Sequence, residues 1–597
     1  MFLRATRQSR AVSTRDILFP APTRGWVQSG NITTAGRDQA EVLDNFFPTA
    51  QGAEIRGGSS VYATIGTAIV RLFVHSGNAD SLFASTASGI YDADRINAGG
   101  SAFADVTGLG SGDWSVTQIS TTGGQFAFMV NGVDYAQYYD GTEFRPISTV
   151  AVNDLDYDNL TTNFAVGETV TGSVSAATAT ILGITQTSAT TGTLRLGTIT
   201  GGPYQDNETL TSASGLGKAN GADSAATAIT ITNVLSENLS QAWLFKERIF
   251  AVEKNSLSAW YLPVKSIGGA ATEIPLGAVF RRGGELLFGA TWSLDSGSGL
   301  DDVCLFVSTL GEIAVYQGTD PSSASTWALV GVYDIDAPLN KHSSFKAGGD
   351  QAILTGDGII SVASALKQDR AALQVSAITA PIEDAWKDAV ANGTNAFPIT
   401  ATLWQSQAKL IIGVPVSGQN VSYVSNAKTG AWCRYTGWDV RCSAVSGDLL
   451  FFATSAGIIM QAEDGGDDNG IAYTGVYVPK FTTAESPGVK VVNHAAATIK
   501  TAGTPVFTMK AMSDYSVSSI TAPSPIVSAS GDLWGTGVWG TFVWGDTSTP
   551  QTYTIWKAVR ASGYSFSVGL AVTINQTTYP QFEILSTAVR YETASAL

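Results

Sequence analysis

The sequence predicts an all-β protein built around a β-propeller of six or seven blades with a degenerate repeat. A small β domain is inserted into the propeller and a second β domain follows it. Three observations carry this. Glycine is abundant (63 residues) and aromatics make up 10% of the chain, while only 14% of residues are charged, a composition of sheets and turns rather than of long helices. An apolar hairpin recurs along the chain. With one insertion set aside, its copies lie about 40 to 60 residues apart, which suits four-stranded blades.

The clearest copy is residues 447–465, Gly-Asp-Leu-Leu-Phe-Phe-Ala-Thr-Ser-Ala-Gly-Ile-Ile-Met-Gln-Ala-Glu-Asp-Gly. Two apolar runs, 449–453 and 458–460, flank a Thr-Ser-Ala-Gly turn, a hairpin signal. Leu449, Leu450, Phe451 and Phe452 are consecutive, so both faces of the first strand need cover. Residues 81–91 repeat the device with a Phe-Ala-Ser-Thr entry and a Gly-Ile exit. Residues 125–139 turn at Asn131-Gly132, the pair favoured where a type I′ turn needs positive φ, and Asp140-Gly141 leads into a third strand at 142–147. Further copies fall at 243–262, read as a strand to Val252 that turns through 254–256, and at 304–316, 352–362 and 410–424, the last with a third strand at 429–435. Residues 380–390, with Pro381 early and Ile382, Ala385 and Trp386 on one face, predict a short connecting helix.

Residues 153–233 differ in character. Thr, Ala, Ser and Gly dominate, and 164–171 (Phe-Ala-Val-Gly-Glu-Thr-Val-Thr) is echoed at 204–211 (Tyr-Gln-Asp-Asn-Glu-Thr-Leu-Thr). Alternating Thr and apolar residues favour strands. The expected organisation is therefore an N-terminal arm and docking segment (1–66), the first part of the propeller (67–152), the inserted β domain (153–235), the rest of the propeller (236–465) and a C-terminal β domain (466–597). In the last, Trp534, Trp539 and Trp544 stand five apart, a period that matches neither helix nor flat strand and suggests a ribbon wedged against a partner.

Little chemistry is legible. His75, His342 and His494 lie far apart and share no ligand spacing, and neither a P-loop nor a Gly-rich dinucleotide turn is found. Cys304, Cys433 and Cys442 lack a CxxC; Cys433 and Cys442 are read either as small core residues or as a pair across a hairpin. The loop carrying Asp464, Asp467 and Asp468 is a weak Ca²⁺ candidate, read more readily as a solvated turn, as is Arg281-Arg282. No cofactor is expected and no enzymatic activity. The formal charge of −16 argues against a protein that grips phosphates by charge. No apolar run spans a bilayer, so membrane insertion is not expected.

Residues 40–58 read Ala-Glu-Val-Leu-Asp-Asn-Phe-Phe-Pro-Thr-Ala-Gln-Gly-Ala-Glu-Ile-Arg-Gly-Gly. This run, of the form A-x-x-L-x-N-F-x-P followed by x-x-R-x-G, resembles the entry segment of the propeller-bearing nozzle or hub proteins of short-tailed bacteriophages. The Gly-Glu-Thr-Val-Thr-Gly segment (167–172) and the Thr-Gly-Ala-Trp-x-x-Tyr segment (429–435) are similar to segments of phage structural proteins. The resemblance implies a virion protein assembled in the host cytoplasm. Six copies would form a ring below the tail adaptor, near fibres or spikes, closing the channel before infection and passing double-stranded DNA during ejection. Six chains of this charge would give an acidic lumen past which DNA slides. Arg4, Arg7, Arg10, Phe46, Phe47, Trp534, Trp539 and Trp544 are then the candidate assembly residues. A carbohydrate-binding or glycoside-cleaving propeller and a tail-spike or receptor-binding protein are the alternatives.

Overall fold

A computed structural model describes residues 14–526 and 549–593, apart from positions 31–34, 78, 97–101, 149, 151, 227–228, 296–299, 324, 393–396, 415–420 and 504. The described residues form seven antiparallel meanders arranged as propeller blades. Blade I comprises Ile69–Ser76, Asp80–Thr86, Gly89–Ile96 and Ala102–Thr107. Blade II comprises Ser115–Thr121, Gly124–Val130, Ala136–Tyr139 and Phe144–Ile147. Blade III comprises Leu239–Phe245, Arg248–Glu253, Ser258–Tyr261 and Thr272–Pro275. Blade IV comprises Leu286–Asp295, Leu300–Ser308, Glu312–Gly318 and Trp327–Asp334. Blade V has three strands, Ser344–Ala347, Asp350–Thr355 and Gly358–Ser361. Blade VI comprises Ala401–Trp404, Lys409–Val414, Val421–Asn426 and Trp432–Thr436.

Blade VII closes the ring. Cys442–Ser446, Leu449–Ala453 and Ile458–Ala462 are completed by Ser59–Thr64, which pairs antiparallel with the third of them. That strand, assigned from sequence to the docking segment, therefore belongs to the last blade. First strands of successive blades touch one another, with blade IV meeting the second strand of blade V, and blade VII returns to blade I.

The apolar pattern explains the stacking. Strand side chains alternate between faces, so in Leu449–Ala453 the residues Leu450 and Phe452 enter the core shared with blade VI, while Phe451 and Ala453 enter the core shared with blade I. Leu82 and Ala84 face blade VII and Phe83 faces blade II. Ala127 and Met129 face blade I, Phe128 and Val130 blade III. Consecutive buried apolar residues are what a strand between two sheets requires.

Two turns differ from expectation. Asn131 does not form a two-residue type I′ turn: its side-chain Oδ1 accepts from the N–H groups of Val133 and Asp134, making a longer loop. The strand expected to run from Trp243 to Val252 is instead broken at Lys246-Glu247, both at positive φ (45° and 60°), the I′ geometry without its usual residues. The expected helix is present as a turn at Ala380–Ile382 leading into Glu383–Asn392, with Ile382 and Trp386 buried.

The chain between blades II and III builds the small β domain around Leu155, Tyr157, Phe164, Val170, Tyr204 and Leu210. Its two related segments pair with each other through Thr169–Gly172 and Thr209–Thr211. Glu168 accepts from Ser212 and Ser214 of the second segment's turn, and Glu208 from Val174 and Ser175 of the first. Its sheet joins the outer strand of blade I at Thr185 and Val106.

The C-terminal strands form two packed sheets, and N-terminal strands are built into both. One contains Phe46–Pro48, Ala53–Ile55, Phe582–Thr593, Lys490–Thr501 and Gln551–Gly563, with Thr14–Pro20 paired to the third. The other contains Ala40–Asp44, Tyr473–Pro479, Phe566–Ile574 and Thr508–Ser513, and is continuous with blade VI through a parallel bridge between Asp44 and Arg434.

Candidate functional site

Two sets of polar side chains stand out: a clamp joining the propeller to the C-terminal sheets, and a cluster on the propeller axis. The clamp is built on the 40–58 motif. Asn45 sits at φ 59°, a conformation Asn tolerates better than most residues. Its Oδ1 accepts from Arg56 Nε (2.9 Å) and from Thr436 N–H (2.8 Å), while Nδ2 donates to Thr436 Oγ1 and to the Thr474 carbonyl, each at 2.8 Å. Arg56 is fully buried. Its remaining N–H groups donate to Asp468 (2.9 and 2.7 Å) and to the carbonyls of Gly57 (2.8 Å) and Thr436 (3.1 Å), so the donors of the guanidinium are used.

The Arg56 guanidinium also lies 3.9 Å from the Tyr473 ring centroid and 4.8 Å from that of Trp438, within cation–π range. Trp438 Nε1 donates to Asp468 (3.0 Å). Burial works against the charge, but the pair with Asp468 outweighs it and raises the Arg56 pKa above its ordinary value. A Cβ at Gly58 would meet the Asp467 carbonyl oxygen at 1.9 Å, so only glycine fits there.

A second buried pair lies beside the first. Lys409 Nζ donates to Glu463 Oε1 at 2.6 Å, with the side chains 6% and 7% exposed. The other carboxylate oxygen accepts from Gly57 N–H (2.6 Å) and Tyr579 Oη (3.1 Å). Burial alone would raise the Glu463 pKa; Lys409 and the Gly57 amide hold it below the usual carboxylate range. A bidentate pair between Arg434 and Asp44 (2.7 and 2.9 Å) extends the polar seam. The clamp thus draws on the N-terminal motif, blade VI, the segment after blade VII and both C-terminal sheets.

The axial cluster gathers residues far apart in sequence. A cavity of about 260 Å³ is lined by Arg71, Trp114, Ser115, Gln241, Lys341, His342, Ser344, Thr400, Thr402 and Ser443, among others, from the inner edges of blades I, II, III, V, VI and VII. Asp113 accepts from His342 Nε2 (2.7 Å) and pairs with Lys341 Nζ (3.1 Å), which also donates to the Asp113 carbonyl (2.7 Å). Burial, reinforced by Arg71, pushes the His342 pKa down to about 4. Burial alone would raise the Asp113 pKa, but His342 and Lys341 hold it well below the usual range. Among the described residues no serine hydroxyl bonds to His342.

The residues singled out from sequence fall elsewhere. Phe46 and Phe47 are buried (0% and 8% exposed) and serve the core, not an external contact. Asp464 bonds Ser60, Asp467 accepts from the Gly470 amide and Asp468 is committed to Arg56. Among the described residues no three His, Cys, Asp or Glu side chains are grouped as metal ligands. The three cysteines are free and buried. The Arg281 and Arg282 amides donate to Glu312, which closes a turn. Arg4, Arg7, Arg10, Trp534, Trp539 and Trp544 lie outside the described residues. Sequence reading missed the axial cluster, whose one local signal is the adjacent Lys341-His342 pair.

Fold and clamp together define an all-β propeller protein fused to a two-sheet domain. No family model matches the chain and no curated protein matches it. Among solved structures it is similar to Sqt1 of Saccharomyces cerevisiae (10% identity, 68% of this chain and 99% of that one, TM-score 0.32). It is also similar to BamB of Moraxella catarrhalis (10%, 70% and 93%, TM-score 0.26) and to the β-propeller domain of Cps50 (Swd1) of Myceliophteria thermophila (7%, 68% and 99%, TM-score 0.25). At these scores the blade topology, not the likeness, carries the description of the fold. Among the described residues no helix is long and apolar enough to cross a membrane.

Proposed function

We propose that this chain is a structural protein of a bacteriophage tail, a nozzle or hub subunit that assembles into a ring and passes DNA through an acidic lumen without binding it. The observation that supports this reading is the clamp. The motif that resembles the nozzle entry segment places its Asn45, Arg56 and Gly58 at the junction where the propeller is locked to the C-terminal sheets. A propeller fixed to the C-terminal sheets in this way suits a subunit that must hold its propeller in place within a ring. The excess of acidic residues (50 against 34 Lys and Arg) suits a surface past which a polyanion slides.

A glycoside-cleaving propeller would need two carboxylates flanking an open cleft. The axial cluster has one carboxylate, Asp113, already engaged by Lys341 and His342. In the nozzle reading the partners are other copies of the chain, the tail adaptor and fibres or spikes, and the chain resides in the virion. Mass photometry of the purified protein, alone and with the adaptor, tests this: a species of about six chains supports it, and a monomer under both conditions counts against it.

A further inference from the structure

The propeller axis holds a cation, Arg71, whose guanidinium has no hydrogen-bonding or ion-pair partner among the described residues. Arg71 lines the 260 Å³ cavity and is partly buried. Its charge acts on Asp113, Lys341, His342 and Cys442, groups of blades II, V and VII that come near one another at the axis. The Asp113 carboxylate is held instead by Lys341 at 3.1 Å and His342 at 2.7 Å. Arg71, Lys341 and His342 are the titratable residues of the wall, and with Lys341 matched to Asp113 one positive charge is left over. A second donor is also unused: Trp114 lines the same cavity and is 1% exposed, and among the described residues its indole N–H has no partner. Other wall groups are spent within the protein, since Gln241 bonds the backbone of Gly289 in both directions and Ser443 bonds Thr402. Buried donors left unpaired are costly, and an unpaired guanidinium in a confined polar cavity is a fork shaped for an oxyanion.

We propose that the axial cavity binds one small oxyanion, a phosphate or a short carboxylate, with Arg71 as the charged fork and the Trp114 indole N–H as a second donor. The cavity volume of about 260 Å³ is ample for such an anion. The anion would bridge blades I and II, and would stabilise the propeller by binding the folded state alone. This inference does not depend on the phage reading.

Calorimetric titration of the full chain at constant ionic strength, with chloride as the background anion, tests it. Inorganic phosphate and succinate are the two probes. Saturable binding of either at one site per chain is expected, and the probe that binds tells phosphate from carboxylate. Arg71→Gln should weaken it about tenfold or more and Trp114→Phe about threefold. If Arg71→Gln fails to fold, Arg71→Lys, which keeps the charge and loses the fork, takes its place and should still weaken binding. No saturable binding of either probe up to about 10 mM, or binding indifferent to both substitutions, would overturn the proposal.

Discussion

Replacing Arg56 with Met removes a fully buried guanidinium while keeping most of its apolar stem. Five hydrogen bonds disappear, and the Asp468 carboxylate, whose side chain is 15% exposed, loses its counter-charge. Removing one partner of a buried pair costs about 3–5 kcal/mol. Asp468 keeps Trp438 Nε1 and Ser59 Oγ as donors, so the lower end, about 3 kcal/mol, is expected. With a urea slope of at least about 3 kcal/mol/M for a chain of this size the transition should move down by up to about 1 M. Tryptophan fluorescence is the assay, because Trp438 lies against the pair. Adding Asp468→Asn to Arg56→Met removes the stranded charge and should recover part of the loss. A shift below about 0.2 M, or a double variant no better than the single one, would refute the view that this pair locks the junction.

Three further outcomes follow from the same structure. Gly58→Ala brings a methyl group to 1.9 Å from the Asp467 carbonyl and should destabilise by about 3 kcal/mol through forced backbone movement; an unchanged urea midpoint would contradict the tight approach. Burial pushes the Asp105 carboxyl up to about 7 from an ordinary 3.8. A raised folded-state pKa means its contribution is complete below about pH 4 and is lost as pH rises through about 7, so Asp105→Asn should gain on the parent between pH 5 and pH 8; a pH-independent difference in melting temperature would count against this. Glu463 is held below 4.5, so its contribution persists at neutral pH and is lost as pH falls through its depressed value. Lys409→Met should therefore move the acid unfolding transition, followed by fluorescence, to higher pH, and an unmoved transition would contradict the Lys409–Glu463 pairing.

Much of the propeller was legible because strand periodicity speaks locally. The run Leu449, Leu450, Phe451, Phe452 demands cover on both faces; the structure divides Leu450, Phe451 and Phe452 between blades VI and I and leaves Leu449 exposed. The entry motif was legible as a pattern, though not its role: Phe46 and Phe47 looked like contact residues and proved to be core. Residues 59–64 could not be placed from local sequence, because their partner lies about 400 positions away and closure of a ring is a long-range choice. The Lys246-Glu247 turn was missed because neither residue announces positive φ. The axial cluster escaped because each blade supplies only one or a few of its residues, and nothing in a single strand marks which end meets the axis.

Negative-stain images of the purified chain should show closed rings with a central hole and propellers projecting outward. A uniform field of single, unassembled particles at micromolar concentration, with and without the adaptor, would contradict it.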